Sequence, residues 1–301
     1  MDALKPPILL IGNYRSGTTM LHDLFDLHPE VRSWFEPRTV WQYAAPGRPH
    51  DRFDEADASP KVVRYIRKRF LQRQHEHGGR RVMDKTPTNT LRIPYVHKIF
   101  PESRLIYIVR DPLANLASAE EKWRRAPLSF KRAWERVMEC PKTQVPVYAG
   151  HFLSQQFNRR VLGKKVSGIW GVRYPGIQAD FGRLSNEEVI ARQWVACVKQ
   201  ADADLAKIES AEPGSVLRLR YEDFVTDPVE QFRRVLEHQG LEMTPGLADQ
   251  VAGKVDPGRR TKWKRLDAGV FKRVVPILRD EMTRLGYEIP EEVADAVAGD
   301  A

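Results

Sequence analysis

The stretch from Pro7 to His28, PILLIGNYRSGTTMLHDLFDLH, constrains this chain more than any other. Ile8 to Ile11 is an unbroken apolar run, the pattern of a short strand buried on both faces of a sheet. Gly12 releases the backbone into a tight loop, after which Met20, Leu21, Leu24, Phe25 and Leu27 recur at helical spacing. Pro29 ends that helix, because the residue before a proline avoids the helical region. Strand, glycine loop and helix in this order build an anion cradle. The first amides of the helix have no intrahelical partner and sit at the positive end of its dipole. Arg15 adds a permanent charge with a forked donor geometry, and Ser16, Thr18 and Thr19 add hydroxyl donors.

The spacing from Gly12 to Gly17 fits the phosphate-loop pattern G-x-x-x-x-G-K-[ST], with Thr18 where the lysine belongs. That replacement argues against an ordinary magnesium nucleotide hydrolase, in which the lysine holds the terminal phosphates. Arg15-Ser16-Gly17-Thr18-Thr19 resembles the Lys/Arg-Ser-Gly-Thr-Thr loop of the sulfotransferases that use 3′-phosphoadenosine 5′-phosphosulfate (PAPS), which also follows the first strand. The bland alternative is a glycine turn between a strand and a helix.

Other strand ends carry charge. Leu105 to Val109 reads as a buried strand, Arg110 stands at its carboxyl end, and Asp111-Pro112 supplies an N-cap and first-turn proline for the next helix. Ser118 falls in the second turn of that helix, where it can face back toward Arg110. Arg110 and Ser118 resemble the family's pair for the 3′-phosphate. Val31 to Phe35 reads as a second strand with Glu36 directly after it. Ligands of open parallel sheets lie beyond the carboxyl ends of the strands, so Glu36 is a candidate general base. The resemblance supports this, since family members outside the cytosolic branch often place a catalytic Glu there; the alternative is that Glu36 pairs with Arg32 or Arg38. Arg80 to Met83 is expected to be a third strand, ending in Asp84-Lys85-Thr86-Pro87. That run is similar to the acidic-Lys-Thr-Pro element of bacterial sulfotransferases, with Asn89 where a histidine often stands. Lys85 is then a candidate to meet the transferring sulfuryl group or the acceptor, against an ordinary salt bridge with Asp84 or Asp111.

A length of 301 residues without a Ser/Gly-rich or Pro-rich linker fits one domain, 1–301. Cys140 and Cys197 make no disulfide framework and no metal-ligand spacing, which points to a reducing compartment. No apolar run approaches the ~20 residues of a membrane span, and the start of the chain lacks a signal-peptide layout, so a soluble, cytoplasmic protein is expected. The net charge of +9 favours anionic partners without naming them. Dispersed basic residues and the lack of zinc-finger or aromatic RNA-binding signatures argue against nucleic acid. The basic residues between Lys61 and Glu76, an expected helix, read as a solvated face, with an anionic-acceptor or membrane-surface patch as the alternative.

The stretch 120–175 is the candidate acceptor-binding segment, and Tyr174 within it is a candidate to stack on adenine, against a buried core tyrosine. Asn186 to Ile208 reads as a long helix capped by Ser185 or Asn186, and Val216 to Leu219 as a further strand. Tyr221-Glu222-Asp223-Phe224 looks like the family's Tyr-Glu-Asp element and reads as structural. Gly258-Arg259-Arg260-Thr261-Lys262-Trp263-Lys264 is similar to the family's nucleotide-closing Gly-x-x-Gly-Asp-Trp-Lys loop. Thr261 and Lys262 replace its second glycine and aspartate, and Asp256-Pro257 stands where the family's Arg-Lys is expected, which leaves Arg259 and Arg260 as substitutes toward the 3′-phosphate. The expected fold is one α/β domain with a central, mainly parallel sheet flanked by helices. The resemblance implies transfer of a sulfuryl group from PAPS to a small-molecule, carbohydrate or lipid hydroxyl, or an amine, leaving 3′-phosphoadenosine 5′-phosphate (PAP). No metal is required, because Arg15, Lys85 and loop amides can stabilise the developing charge. A P-loop kinase and a basic nucleic-acid-binding protein are the alternatives.

Overall fold

The computed structural model describes residues 3–125, 141, 144–146, 150, 169–256, 258 and 261–298. Five strands, β1 (Ile8–Ile11), β2 (Val31–Phe35), β3 (Arg81–Lys85), β4 (Leu105–Val109) and β5 (Val216–Arg220), lie in the order β2-β3-β1-β4-β5. All four pairings are parallel. The helices are α1 (Thr18–Phe25), α2 (Arg38–Trp41), α3 (Pro60–Glu76), α4 (Ile93–Ile99), α5 (Pro112–Arg125), α6 (Ile177–Phe181), α7 (Asn186–Ala211), α8 (Tyr221–Thr226), α9 (Pro228–His238), α10 (Leu247–Lys254), α11 (Ala268–Arg284) and α12 (Glu291–Ala298).

The two-residue period of a strand explains why the apolar runs are continuous. Leu9 and Ile11 share one face with Val82, Leu105 and Tyr107, and pack on α3, α4 and the second half of α7. Ile8 and Leu10 share the other with Met83, Ile106 and Ile108, under α1, α8, α9 and α10. A separate cluster joins α5, α7 and α11 through Leu113, Leu116, Val189, Val274 and Leu278. β5 lies at the sheet's edge and carries charge there: Arg218 pairs with Asp202 at 2.8 Å. None of the described helices is long and apolar enough to cross a membrane.

Three boundaries extend past the expected ones. β3 runs to Lys85 because Asp84 and Lys85 pair with Leu9 and Leu10 of β1, and β5 runs to Arg220 because that residue pairs with Val109. Charged side chains at a strand's end hide backbone pairing that is still complete. α7 begins with a capping box, Glu188 N donating to Ser185 Oγ and Ser185 N to Glu188 Oε2. It ends at Ala211, since Glu212 precedes Pro213 and takes an extended φ of −135°.

Because every strand points the same way, their carboxyl ends share one edge: Phe35 closing β2 with Glu36 after it, Lys85 closing β3, Gly12 after β1, Arg110 after β4, Tyr221 after β5. Gly17 fits that edge closely. Its φ is +97°, and a Cβ added there would lie 2.6 Å from Tyr221 Cδ2. Gly17→Ala is expected to lower stability by about 2–4 kcal/mol through strain and overpacking together. Urea denaturation checks this, and a change below about 0.5 kcal/mol would contradict the packing of Tyr221 on the loop.

Candidate active site

The loop between β1 and α1 is held by α5. Arg15 has a positive φ of +66°, and Glu36, at +50°, is the one other described non-glycine residue in that region. Such conformations cost about 1–3 kcal/mol each and persist only where the surroundings impose them. Around Arg15 they do: Arg110 Nη1 donates to Arg15 O at 3.0 Å, and Arg15 Nε donates to Ser118 Oγ at 3.0 Å. Asn115 Nδ2, fully buried on α5, donates to Tyr14 O at 2.9 Å and to Ser16 Oγ at 3.1 Å. Asp111 Oδ1 accepts from Ala114 N at 2.7 Å and caps α5, as the sequence predicts.

These contacts bring Arg15, Gly17, Thr18, Thr19, Arg110 and Ser118 to the wall of one cleft with a volume of about 310 Å³. Tyr221, Lys254 and Asp256 also line it, and sequence reasoning missed all three. Tyr221 stands directly after β5, and the Arg110 guanidinium carbon lies 4.1 Å from its ring centroid. Position at a strand's carboxyl end was the available signal for Tyr221. Lys254 ends α10 with no motif around it, and Asp256 follows two residues later, where the family's loop would carry a basic residue.

Ser16, Glu36, Lys85 and Tyr174 do not line this cleft. Ser16 turns its hydroxyl inward, where it accepts from Asn115, and is 1% exposed, so its side chain helps to hold the loop and does not face the cleft. Tyr174 does not reach the cleft: it is buried in the α5–α7–α11 core, and its hydroxyl donates to Asp180 Oδ2 at 2.5 Å. Lys85 does form a salt bridge, but with Glu36 rather than Asp84 or Asp111. Arg259 and Arg260 lie outside the described residues, as does most of 126–168. Of the neighbouring cations, Lys262 Nζ lies 3.4 Å from Glu121 of α5, and Lys264 Nζ 3.3 Å from Glu292 of α12.

At the carboxyl ends of β2 and β3, Glu36 Oε1 accepts from Lys85 Nζ at 2.8 Å, and Oε2 accepts from Arg38 Nη2 at 2.8 Å and Nε at 3.1 Å. Burial alone would raise the Glu36 pKa, yet the charges of Arg38 and Lys85 outweigh it and hold the carboxyl at about 2. Burial lowers the Lys85 pKa, a shift opposed by Glu36 and reinforced by the nearby charges of Arg38 and Arg15. Asp84, one residue back, faces the opposite side of the sheet and has no exposed surface. Burial pushes its pKa up to about 7, although Thr86 Oγ1 and Asn89 Nδ2 both donate to it at 2.8 Å. Asn89 is therefore a buried partner of Asp84.

The chain matches the model described as "Sulfotransferase family" over residues 6–153 and 168–245. It is 27% identical over 221 residues to protein-tyrosine sulfotransferase 1 of Danio rerio, across 67% of this chain and 60% of that protein. With omega-hydroxy-beta-dihydromenaquinone-9 sulfotransferase Stf3 of Mycobacterium tuberculosis it shares 23% over 293 residues, 78% of this chain and 63% of that one. The chain thus spans about three fifths of the length of these relatives. Among solved structures, the sulfotransferase domain from the curacin biosynthetic pathway has the same fold, with a TM-score of 0.56 at 16% identity over 96% of this chain and 100% of that one. A family match that begins before the loop of Arg15 and continues beyond β5 decides the matter: the chain belongs to the sulfotransferase family.

Proposed function

We propose that the protein moves a sulfuryl group from PAPS to an acceptor hydroxyl and releases PAP. The observation that carries this reading is two arginines in one cleft, Arg15 on the loop before α1 and Arg110 at the end of β4, with Ser118 of α5 lining the same cleft. A bisphosphorylated nucleotide has two anionic ends, and the cleft offers a donor set for each. The 5′-phosphosulfate belongs at the amides of α1 with Thr18, Thr19 and Arg15. The 3′-phosphate belongs with Arg110 and Ser118, and Lys254 is the described lysine that lines the same cleft. Ser118 Oγ already accepts from Arg15, which leaves its proton to donate to a phosphate oxygen.

In the transfer, the acceptor oxygen bonds to sulfur as the bond from sulfur to the phosphate oxygen breaks, and that oxygen keeps the electron pair. Arg15, Lys85 and the loop amides stabilise the charge left on PAP, so the scheme contains no metal. Glu36 takes the acceptor's proton. With a pKa of about 2 it is always ionised at working pH, and the acceptor hydroxyl becomes strongly acidic only as its oxygen bonds to sulfur. Lys85 and Arg38 fix the carboxylate's orientation. The two relatives are named for tyrosine in proteins and for an omega-hydroxylated menaquinone, both hydroxyl acceptors, which favours a hydroxyl over an amine here. The cysteine pattern fits a soluble enzyme of a reducing compartment, the cytoplasm.

Charge-assisted hydrogen bonds to the 3′-phosphate are worth a few kcal/mol, so PAP is expected to bind at least about tenfold more tightly than AMP. Isothermal calorimetry without magnesium measures the ratio. Equal affinities, or a strict need for magnesium, would turn the reading toward a kinase.

Glu36→Gln is expected to bind PAP like the wild type and to lose at least about 100-fold in single-turnover transfer, the low end of what a positioned base contributes. The base must be ionised, so activity persists above its pKa and falls below it. With Glu36 at about 2, the wild-type kcat profile is expected to stay flat down to about pH 5. An acid limb near pH 7, together with a rate for Glu36→Gln within about threefold of wild type, would show that Glu36 is not the base.

A further inference from the structure

Phe35 is the one large apolar side chain among the described residues that is strongly exposed, at 52%. A single exposed ring is ordinary on a protein surface; this one is set apart by where it stands. It ends β2 immediately before Glu36, and its backbone is in register with Lys85. Lys85 Nζ lies 3.9 Å from the ring centroid and donates to Glu36 Oε1 at 2.8 Å. His22 of α1 meets the ring edge-on, with centroids 5.3 Å apart. The ring thus packs on the cation that holds the candidate base, and about half of its surface faces solvent.

The geometry points to Phe35 as a specificity-determining residue, the platform on which an acceptor with an apolar skeleton, a phenol or a long-chain alcohol, rests while its hydroxyl meets Glu36. This inference rests on the sulfuryl-transfer reading above. A hydroxyl within hydrogen-bond reach of the Glu36 carboxylate carries its neighbouring carbon atoms over the ring. The polar groups at that spot are already matched to one another, since both Glu36 oxygens are taken by Lys85 and Arg38. A sugar brings several further hydroxyls that need partners of their own, whereas a hydrocarbon needs only the apolar area that Phe35 provides. An apolar group seated there also removes water from the Lys85–Glu36 pair and strengthens its field at the reacting oxygen.

The test uses labelled PAPS and three acceptors of similar size: a simple phenol, a straight-chain primary alcohol and a methyl glycoside. Wild type, Phe35→Ala and Phe35→Leu are compared, with the affinity of each for PAP measured by calorimetry. The wild type is expected to prefer the phenol and the alcohol over the glycoside by at least about tenfold in kcat/KM. Phe35→Ala is expected to raise KM for those two by about tenfold, the loss of roughly one partly buried side chain, while PAP affinity stays within about twofold. Phe35→Leu, which keeps apolar area without a ring, is expected to recover most of the loss for the alcohol. A wild type that prefers the glycoside, or that binds PAP and transfers to none of the three, overturns the inference. So does a Phe35→Ala variant in which kcat falls for every acceptor and KM does not move, the signature of a ring that only props Lys85. Failure of the wild type to bind PAP overturns the sulfuryl-transfer reading and this inference with it.

Discussion

Arg15 occupies a backbone conformation that an arginine takes only where its neighbours impose it, and Arg110 at the end of β4 and the first turns of α5 are the neighbours that do so. Arg110 bonds the Arg15 carbonyl, Asn115 bonds the carbonyl before it, and Ser118 receives the Arg15 side chain. The rest of the site depends on this grip. It turns the loop so that the amides beginning α1 and the Arg15 guanidinium face the same cleft, and it ties the carboxyl end of β1 to that of β4. Helix, loop and strand end are thus one rigid part, which is what an electrostatic catalyst requires if its dipoles are not to reorganise during the reaction.

Parallel pairing supplies the second half of the design. Five strands running one way place Glu36, Lys85, the loop, Arg110 and Tyr221 along a single edge from residues far apart in the chain. Glu36 also has a positive φ. The strain therefore sits at the two residues on which the reading places charge stabilisation and proton transfer, while the regular strands behind them carry none of it.

Much of this was legible in the sequence because it is local. An apolar run, a glycine, an arginine and a helical stripe are adjacent in the chain, so the cradle could be read from Pro7 to His28, and Arg110 from the strand just before it. A mainly parallel sheet followed from the alternation of strands and helices, and all four pairings are parallel. What was not legible depends on long-range contact. The ion pair of Lys85 with Glu36 is one example, because the two lie 49 residues apart and meet only across a strand pair. Ser16 and Tyr174 have side chains suited to a binding site, but Asn115 and Asp180, which turn them into the interior, carry no motif that announces the contact. Lys254 reaches the cleft from α10, where nothing in the local pattern distinguishes it from a solvated lysine.

The central claim is that Arg15 and Arg110 serve opposite ends of one nucleotide, although they touch each other's residues here. Single-turnover transfer at saturating PAPS in Arg15→Ala and Arg110→Ala tests it most directly. The account predicts that Arg15→Ala slows the chemical step, because the breaking bond lies at its end, while Arg110→Ala chiefly raises the PAPS concentration needed for saturation. Two variants that lose affinity alone, with equal rates at saturation, would contradict it.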